Sequence, residues 1–364
     1  SRAVSARCRL SSRGKRSPSV TVAPEASDVS AGSAEKDTAV KITILDDYQN
    51  AVRELACFKL LESHDVKVID QTYRTTDELV AAIENAEVLV LIRERTRIDQ
   101  ALLSRLPKLK LISQTGKISN HLDLAACTQS NVLVAEGIGS PVAPSELCWA
   151  LVMAASRHLA PYVQNLINGQ WQQSGSLGLG RTLHGLTFGI WGYGKIGRRV
   201  AQYAKAFGMH VLVWGSEGSR KAAESDGFIA APDKTHFFRE ADVLSLHLRL
   251  NAATRGCVTK ADLALMKPDS LFVNMSRAGL IEENALFDAL TSVPTKQAAI
   301  DVFDKEPVRD ASDPLLSLPN VLCTPHLGYV EKNSYERYFK AAFENVVHYL
   351  EGNPSNIANP ELLP

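Results

Sequence analysis

The stretch GIWGYGKIG (189–197) sets Gly192, Gly194 and Gly197 in G-x-G-x-x-G spacing. An apolar strand before it and a helix after it make this a site for a dinucleotide pyrophosphate. The first glycine permits a tight turn and the second lets backbone approach the phosphates. The third lets helix and strand pack closely, and the helix N-terminus attracts the anion. Tyr193, Lys195 and Ile196 complete the loop and join the glycines as candidate cofactor contacts. The next strand, VLVWG, ends at Gly215, close to where a carboxylate would take the ribose 2′-hydroxyl of NAD. Glycine cannot accept that bond, and it carries no charge to repel a 2′-phosphate. Ser216 could donate to such a phosphate, and Arg220 or Lys221 could neutralise it. The pattern therefore favours NADP(H) over NAD(H). In the alternative, Glu217 holds the ribose of NAD and Arg220 is a solvated helix residue.

Three later segments each carry one polar residue beside a strand end: NMSRAGLIEE with Arg277, DVFDKEP with Glu306 and TPHLGY with His326. Taken in order with the glycine loop, they resemble the D-isomer-specific 2-hydroxyacid dehydrogenases, the family of phosphoglycerate, glycerate and glyoxylate/hydroxypyruvate reductases. The resemblance runs over about residues 41 to 360. It implies hydride exchange between a nicotinamide and C2 of a small 2-oxo or D-2-hydroxy acid. His326 then handles the proton, a task that suits an imidazole. Glu306 orients its ring, and Arg277 takes the substrate carboxylate through a planar, two-toothed cation. Formate dehydrogenases of the family pair the histidine with Gln, so Glu306 speaks against that activity. Asp301 matches a family position near the nicotinamide, with a turn cap as the plainer alternative. In LHLRLNAAT, His247 matches a cofactor contact, but Arg249 stands where the family has Pro.

SQTGKISNHLDLAA (113–126) matches the family loop whose amides hold the substrate carboxylate, which makes Gly116 and Lys117 substrate-binding candidates. It departs from the pattern: Ile118 replaces the second Gly, and Asn120-His121 replace Asp-Asn, with His121 read as a loop residue. In LIRERTRID, Arg93 matches a family arginine able to reach a carboxylate or phosphate on the substrate's far end. A solvated charge run is the alternative there. Asp47 reads as a helix N-cap.

The elements around these residues alternate short apolar strands with amphipathic helices, the rhythm of a parallel sheet covered on both faces. The fold class expected is α/β, with two doubly wound, Rossmann-like domains and a cleft between them. The resemblance makes the substrate domain discontinuous and flavodoxin-like, residues 40–142 plus 326–364, with residues 143–325 binding the dinucleotide. Helices are expected through VRELACFKLL and, unusually long, through SELCWALVMAASRHLAPYVQNLIN. A last helix is expected to open with a capping box at Asn333 and Glu336 and to stop at EGNP.

Lys+Arg and Asp+Glu are both 40, which argues against a general nucleic-acid binder. No apolar run approaches the ~20 residues that span a bilayer. Six scattered Cys with no C-x-x-C pair predict reduced, mostly buried thiols and no metal site. Residues 1–39 begin with an Arg- and Ser-rich stretch in which Glu25 is the first acid. That composition predicts a mitochondrial or plastid transit segment followed by a linker. The partners expected are a small 2-oxo or 2-hydroxy acid and, from the resemblance, a second copy in a homodimer with the long helix as an arm. Two other readings stay open: a phosphoglycerate dehydrogenase-like enzyme of serine synthesis, and a dinucleotide-sensing corepressor, since the family includes such proteins.

Overall fold

Runs such as KITI, VLVL and LISQ become strands because their residues are buried on both faces of a sheet, as parallel strands require. The structure, a computed structural model, describes residues 39–309 and 313–363. The transit-segment expectation, with Cys8, lies outside the described residues.

The first sheet holds β1 (Lys41–Ile44), β2 (Asp65–Val68), β3 (Val88–Leu91), β4 (Leu111–Gln114) and β5 (Leu133–Ala135). Its order is β2-β1-β3-β4-β5, all parallel, in register such as Ile42↔Val88 and Val88↔Leu111. The helices between are α1 (Thr76–Ile83), α2 (Gln100–Leu103) and α3 (Leu124–Gln129), each opened by a side-chain cap from Thr75, Asp99 or Asp123. Next come α4 (Val142–Ser156) and α5 (Leu159–Ile167).

The second sheet holds β6 (Thr187–Trp191), β7 (His210–Trp214), β8 (Ile229–Ala230), β9 (Val243–Leu246), β10 (Leu271–Asn274), β11 (Gln297–Ile300) and β12 (Val321–Cys323). Its order is β12-β11-β10-β9-β6-β7-β8, again all parallel. The helices α6 (Lys195–Ala206), α7 (Glu217–Ser225), α8 (Lys234–Glu240), α9 (Lys260–Leu265) and α10 (Ala285–Ser292) alternate with these strands. The last helix, α11 (Lys332–Leu350), returns to the first sheet. There Tyr335, Phe339, Ala342, Phe343 and Val346 share a core with Ile42, Ile44, Val88 and Val90. Beyond α11, Ile357 bridges Ala135 and the Ala358 amide donates to Val134, so the tail closes the β5 edge.

Both sheets reverse strand order beside their first strand, and ligands of such sheets bind outside the carboxyl ends at that point. The candidate residues lie there. The glycine loop follows β6, Gly215 follows β7, His247 follows β9, Arg277 follows β10, Asp301 follows β11 and His326 follows β12. In the first sheet, Arg93 follows β3 and Gly116 follows β4.

Three expected elements differ. VRELACFKLL forms two 3₁₀ turns, Val52–Glu54 and Ala56–Leu61, with Leu55 extended between them. The cause is tertiary: the Ala56 and Cys57 amides donate to the two oxygens of Glu336 on α11, at 2.9 and 2.8 Å. Glu336 therefore closes no capping box on its own helix, whose N-cap is Glu331, not Asn333. The long helix is two. The Ser156 carbonyl accepts from Arg181 instead of the next turn, Pro161 has no amide to offer Arg157, and His158 turns left-handed at φ +51°. The EGNP stop is as expected: Gly352 adopts φ +77° and Asn353 donates to His348. Asp47 is not the expected N-cap, since Ala51 holds that position, but its Oδ2 accepts from the Val52 amide at 2.9 Å from outside the turn.

Candidate active site

The dinucleotide cradle is built by backbone. Gly192 sits at φ +100°, and a β-carbon there would stand 2.5 Å from the His247 carbonyl oxygen. A β-carbon on Gly197 would collide with the Gly192 carbonyl, while Gly194 faces open space at the head of α6. No side chain caps α6, so its first amides are free for an anion. These features fit a pyrophosphate. The Tyr193 hydroxyl donates to Asp226 at 2.8 Å and its ring is buried, so Tyr193 can offer the cofactor only its backbone. Ile196 packs into the core, and Lys195 is exposed. His247 meets the loop through its carbonyl; its ring is enclosed, Nε2 has no partner, and burial pushes the imidazole down to about 4.

The β7 end changes the meaning of Gly215. Its φ of +153° is a conformation that side-chain-bearing residues rarely adopt, so the backbone itself selects glycine there. Ser216 caps α7 by accepting from the Ser219 amide, and Lys221 pairs with Glu217 at 2.6 Å. Arg220 lies over the Trp214 ring at 5.0 Å with a buried, unpartnered Nε.

The catalytic candidates meet. Nδ1 of His326 and Oε2 of Glu306 are 2.6 Å apart, and Glu306 also accepts from the Phe303 amide at 2.9 Å. Burial would raise the Glu306 carboxyl, but His326, the Phe303 amide and the Arg277 charge outweigh it and hold Glu306 low. His326 is left-handed at φ +52°. That turn is fastened by Asp301, which accepts from Thr324 Oγ1 at 2.6 Å and from the Leu327 and Gly328 amides at 2.7 and 2.9 Å. These bonds account for the Asp301 carboxylate without a cofactor, and the capping alternative describes it best. Arg277 is aimed by its own motif. Asn274 takes the Ser276 amide and donates to the Arg277 carbonyl, while Ser276 Oγ donates to Leu246.

On the first sheet, a β-carbon on Gly116 would occupy the place of the Arg93 guanidinium, so glycine is what admits this arginine. Arg93, itself at φ +55°, also lies 5.4 Å from the centre of the Tyr329 ring, and Tyr329 stands edge-on to His326 at 5.6 Å. Lys117 is drawn off: it pairs with Glu136 at 2.6 Å, and the same carboxylate takes the Ile118 amide. The Lys117 ammonium is therefore paired, whereas the sequence expectation for this loop rested on its backbone amides.

One residue escaped the sequence reading, Glu94, and another, His121, was read only as a loop residue. Glu94 forms an ion pair with Arg277 across the cleft. His121 lies close enough to Glu94, Arg93 and Arg277 to feel their charges. Burial is the main cause that lowers its imidazole, with Glu94 opposing and the two arginines adding. Both residues sit in polar, charge-rich loops, and no local pattern separates them from solvated neighbours. Among the described residues, no three metal-ligating side chains cluster, and no helix is long and apolar enough to cross a membrane. Burial raises every described thiol, Cys57 and Cys127 to about 12 and Cys148 and Cys323 to about 11.

Two parallel sheets that bring a glycine phosphate loop and an Arg–Glu–His set to one cleft define a dinucleotide-binding α/β protein. Its particular family follows from comparison with known proteins. The family described as "D-isomer specific 2-hydroxyacid dehydrogenase, NAD binding domain" matches residues 149–328. A glyoxylate reductase from Aeropyrum pernix is 31% identical over 312 residues, 84% of this chain and 92% of that protein. A D-3-phosphoglycerate dehydrogenase from Methanocaldococcus jannaschii is 32% identical over 328 residues, 89% of this chain; the chain spans 60% of that relative's length. The crystal structure of a phosphoglycerate oxidoreductase from Vibrio cholerae O395 aligns with a TM-score of 0.85 at 61% identity, covering 86% of this chain and 99% of that one. The chain belongs to the D-isomer-specific 2-hydroxyacid dehydrogenase family.

Proposed function

We propose that the protein is an NAD(P)-dependent oxidoreductase that interconverts a 2-oxo acid and its D-2-hydroxy acid. The observation that carries this is the His326–Glu306 bond at the mouth of the cleft, with the Arg277 charge reaching Glu306. Because Nδ1 is spent on Glu306, Nε2 is the nitrogen left to exchange a proton with the C2 oxygen. When bound, the reduced nicotinamide supplies the hydride. The residues of this chain do the rest: Arg277 offers a planar cation to the substrate's oxygens, and Tyr329, buried against His326, keeps water from one face of the ring.

The substrate class is a 2-hydroxy acid with a second anionic group, of the 3-phosphoglycerate kind. Arg93 supports this, since among the described residues it has no ion-pair partner and it lies beside Gly116 and Tyr329. Relatives named for phosphoglycerate support it too. A small acid such as glyoxylate or hydroxypyruvate is the second reading, favoured by the Aeropyrum relative. NADP(H) is preferred to NAD(H) on the strength of Arg220, whose guanidinium stacks on Trp214 past the β7 end with its buried Nε lacking a partner. The test follows nicotinamide absorbance with 3-phosphohydroxypyruvate, hydroxypyruvate and glyoxylate, each with NADPH and NADH. The expected result is a kcat/KM for the phosphorylated acid at least about tenfold above the others, the scale of one charge-assisted contact. Better turnover of an uncharged-tail acid would overturn the substrate class, and a preference for NADH would return the ribose to Glu217. No turnover with any pair would sink the oxidoreductase reading and favour a sensing role.

A further inference from the structure

Arg277 is not free to meet a substrate with any edge it likes. A guanidinium carries five N–H groups in a fixed plane. Here Nε donates to Glu94 Oε2 at 3.3 Å and Nη2 to Glu94 Oε1, so one whole side of the fork is taken. Nη1 gives a hydrogen to the Ser276 carbonyl at 2.6 Å. What is left is one N–H on Nη1 and one on Nη2, side by side on the outer edge. Glu94 sits just past β3 on the first sheet, and Arg277 just past β10 on the second. The pair therefore fixes the cation's roll about its own stem from the opposite wall of the cleft. Neither side chain is widely exposed: 26% for Glu94 and 31% for Arg277.

We propose that Glu94 is a positioning residue for the reaction. It holds Arg277 by its inner side, so that only the outer two N–H groups face the 2-oxo acid. The substrate's carboxylate and C2 oxygens then meet a cation whose orientation is set before they arrive, and no rotamer search follows binding. The surroundings fit this role. His121 and Arg93 lie near enough to Glu94 to be felt electrostatically, but neither forms an ion pair with it. The carboxylate is thus committed to Arg277 and is held low by that charge, against the effect of burial.

This inference rests on the oxidoreductase reading, and the test keeps the two apart. Glu94→Gln, Arg277→Lys and the double variant would be made in the full chain. For each, kcat and KM for the best 2-oxo acid, the Kd for NAD(P)H by nicotinamide fluorescence, and Tm would be measured. Expected for Glu94→Gln is a kcat lower by about tenfold or more, an unchanged Kd for NAD(P)H, and little added loss in the Arg277→Lys background. Glu94→Asp is too short to reach both nitrogens, so it should show the same signature, and it serves if the Gln variant does not fold. Wild-type kcat in these variants, or full additivity with Arg277→Lys, overturns the proposal. A rise in kcat/KM also overturns it, since that is what a carboxylate merely competing with substrate would give. A parallel loss of NAD(P)H affinity would mark Glu94 as a simple latch between the lobes and likewise overturn it. If Arg277→Lys alone keeps wild-type turnover, the fault lies with the role given to Arg277, not with Glu94.

Discussion

Asp301 is fully buried beneath the turn that carries His326, and both its oxygens accept bonds there. Burial raises its carboxyl, although the Thr324, Leu327 and Gly328 donors pull the other way. Asp301→Asn keeps the shape, but whichever oxygen becomes an NH₂ then faces a backbone amide that already donates, Leu327 at Oδ1 or Gly328 at Oδ2. The expected cost is about 1–3 kcal/mol for a buried donor left without a partner. Turnover should fall with it, because the left-handed His326 backbone depends on that fastening. Calorimetry and kcat on the same preparation check this, and an Asn variant with unchanged Tm would refute the structural role. At this scale the sequence was readable where residue type and local motif sufficed. Arg277, Glu306 and His326 each stand in a distinctive run, and the structure brings them to one cleft. Gly215 was readable as a type but not as a cause, since its φ of +153° explains glycine without any phosphate. Glu94 was not readable. Inside LIRERTRID it looks like any solvated charge, and only the approach of the second sheet reveals its partner.

Strands were the legible elements, because burial on both faces leaves continuous apolar runs in the chain. Helices failed where distant residues outbid local propensity. The 3₁₀ turn at Ala56–Leu61 depends on a carboxylate 280 positions away, which no window along the sequence contains. The break after α4 had one local sign, Pro161, and one remote cause, the Arg181 amide on the Ser156 carbonyl. The Glu336 cap yields a prediction proper to elements. Glu336→Ala leaves two amides of the 3₁₀ turn without their acceptor, and should lower stability by about 0.5–2 kcal/mol, as loss of an N-cap does. Chemical denaturation with an unchanged m value is the expected signature. A variant as stable as the parent would mean that water replaces the carboxylate at no cost and that Leu55 alone sets the turn. The site should be unmoved in either case, since α11 packs on the first sheet through Tyr335, Phe339 and Phe343, and Glu336 adds only the 3₁₀ contact.

On the scale of the whole molecule, the two sheets share one logic: each carries its chemistry past its strands' carboxyl ends, and Arg277–Glu94 ties the two ends together. What the two sheets do not use is α5. It buries none of its residues, yet Leu159, Val163, Leu166 and Ile167 recur at helical spacing on one face, and Trp171 follows at 74% exposure. A face of that kind is costly to leave in water. We propose that it meets a second copy of this chain. Replacing both Val163 and Ile167 with Asp puts charge on two exposed positions and removes no interior contact. Such a change should leave the protomer folded while halving the mass seen by light scattering at micromolar concentration. It should also make Tm independent of protein concentration, where the parent's Tm rises with concentration through mass action. A parent that is already monomeric and whose Tm ignores concentration would leave α5 exposed for some other purpose, and would count against a homodimer through this face.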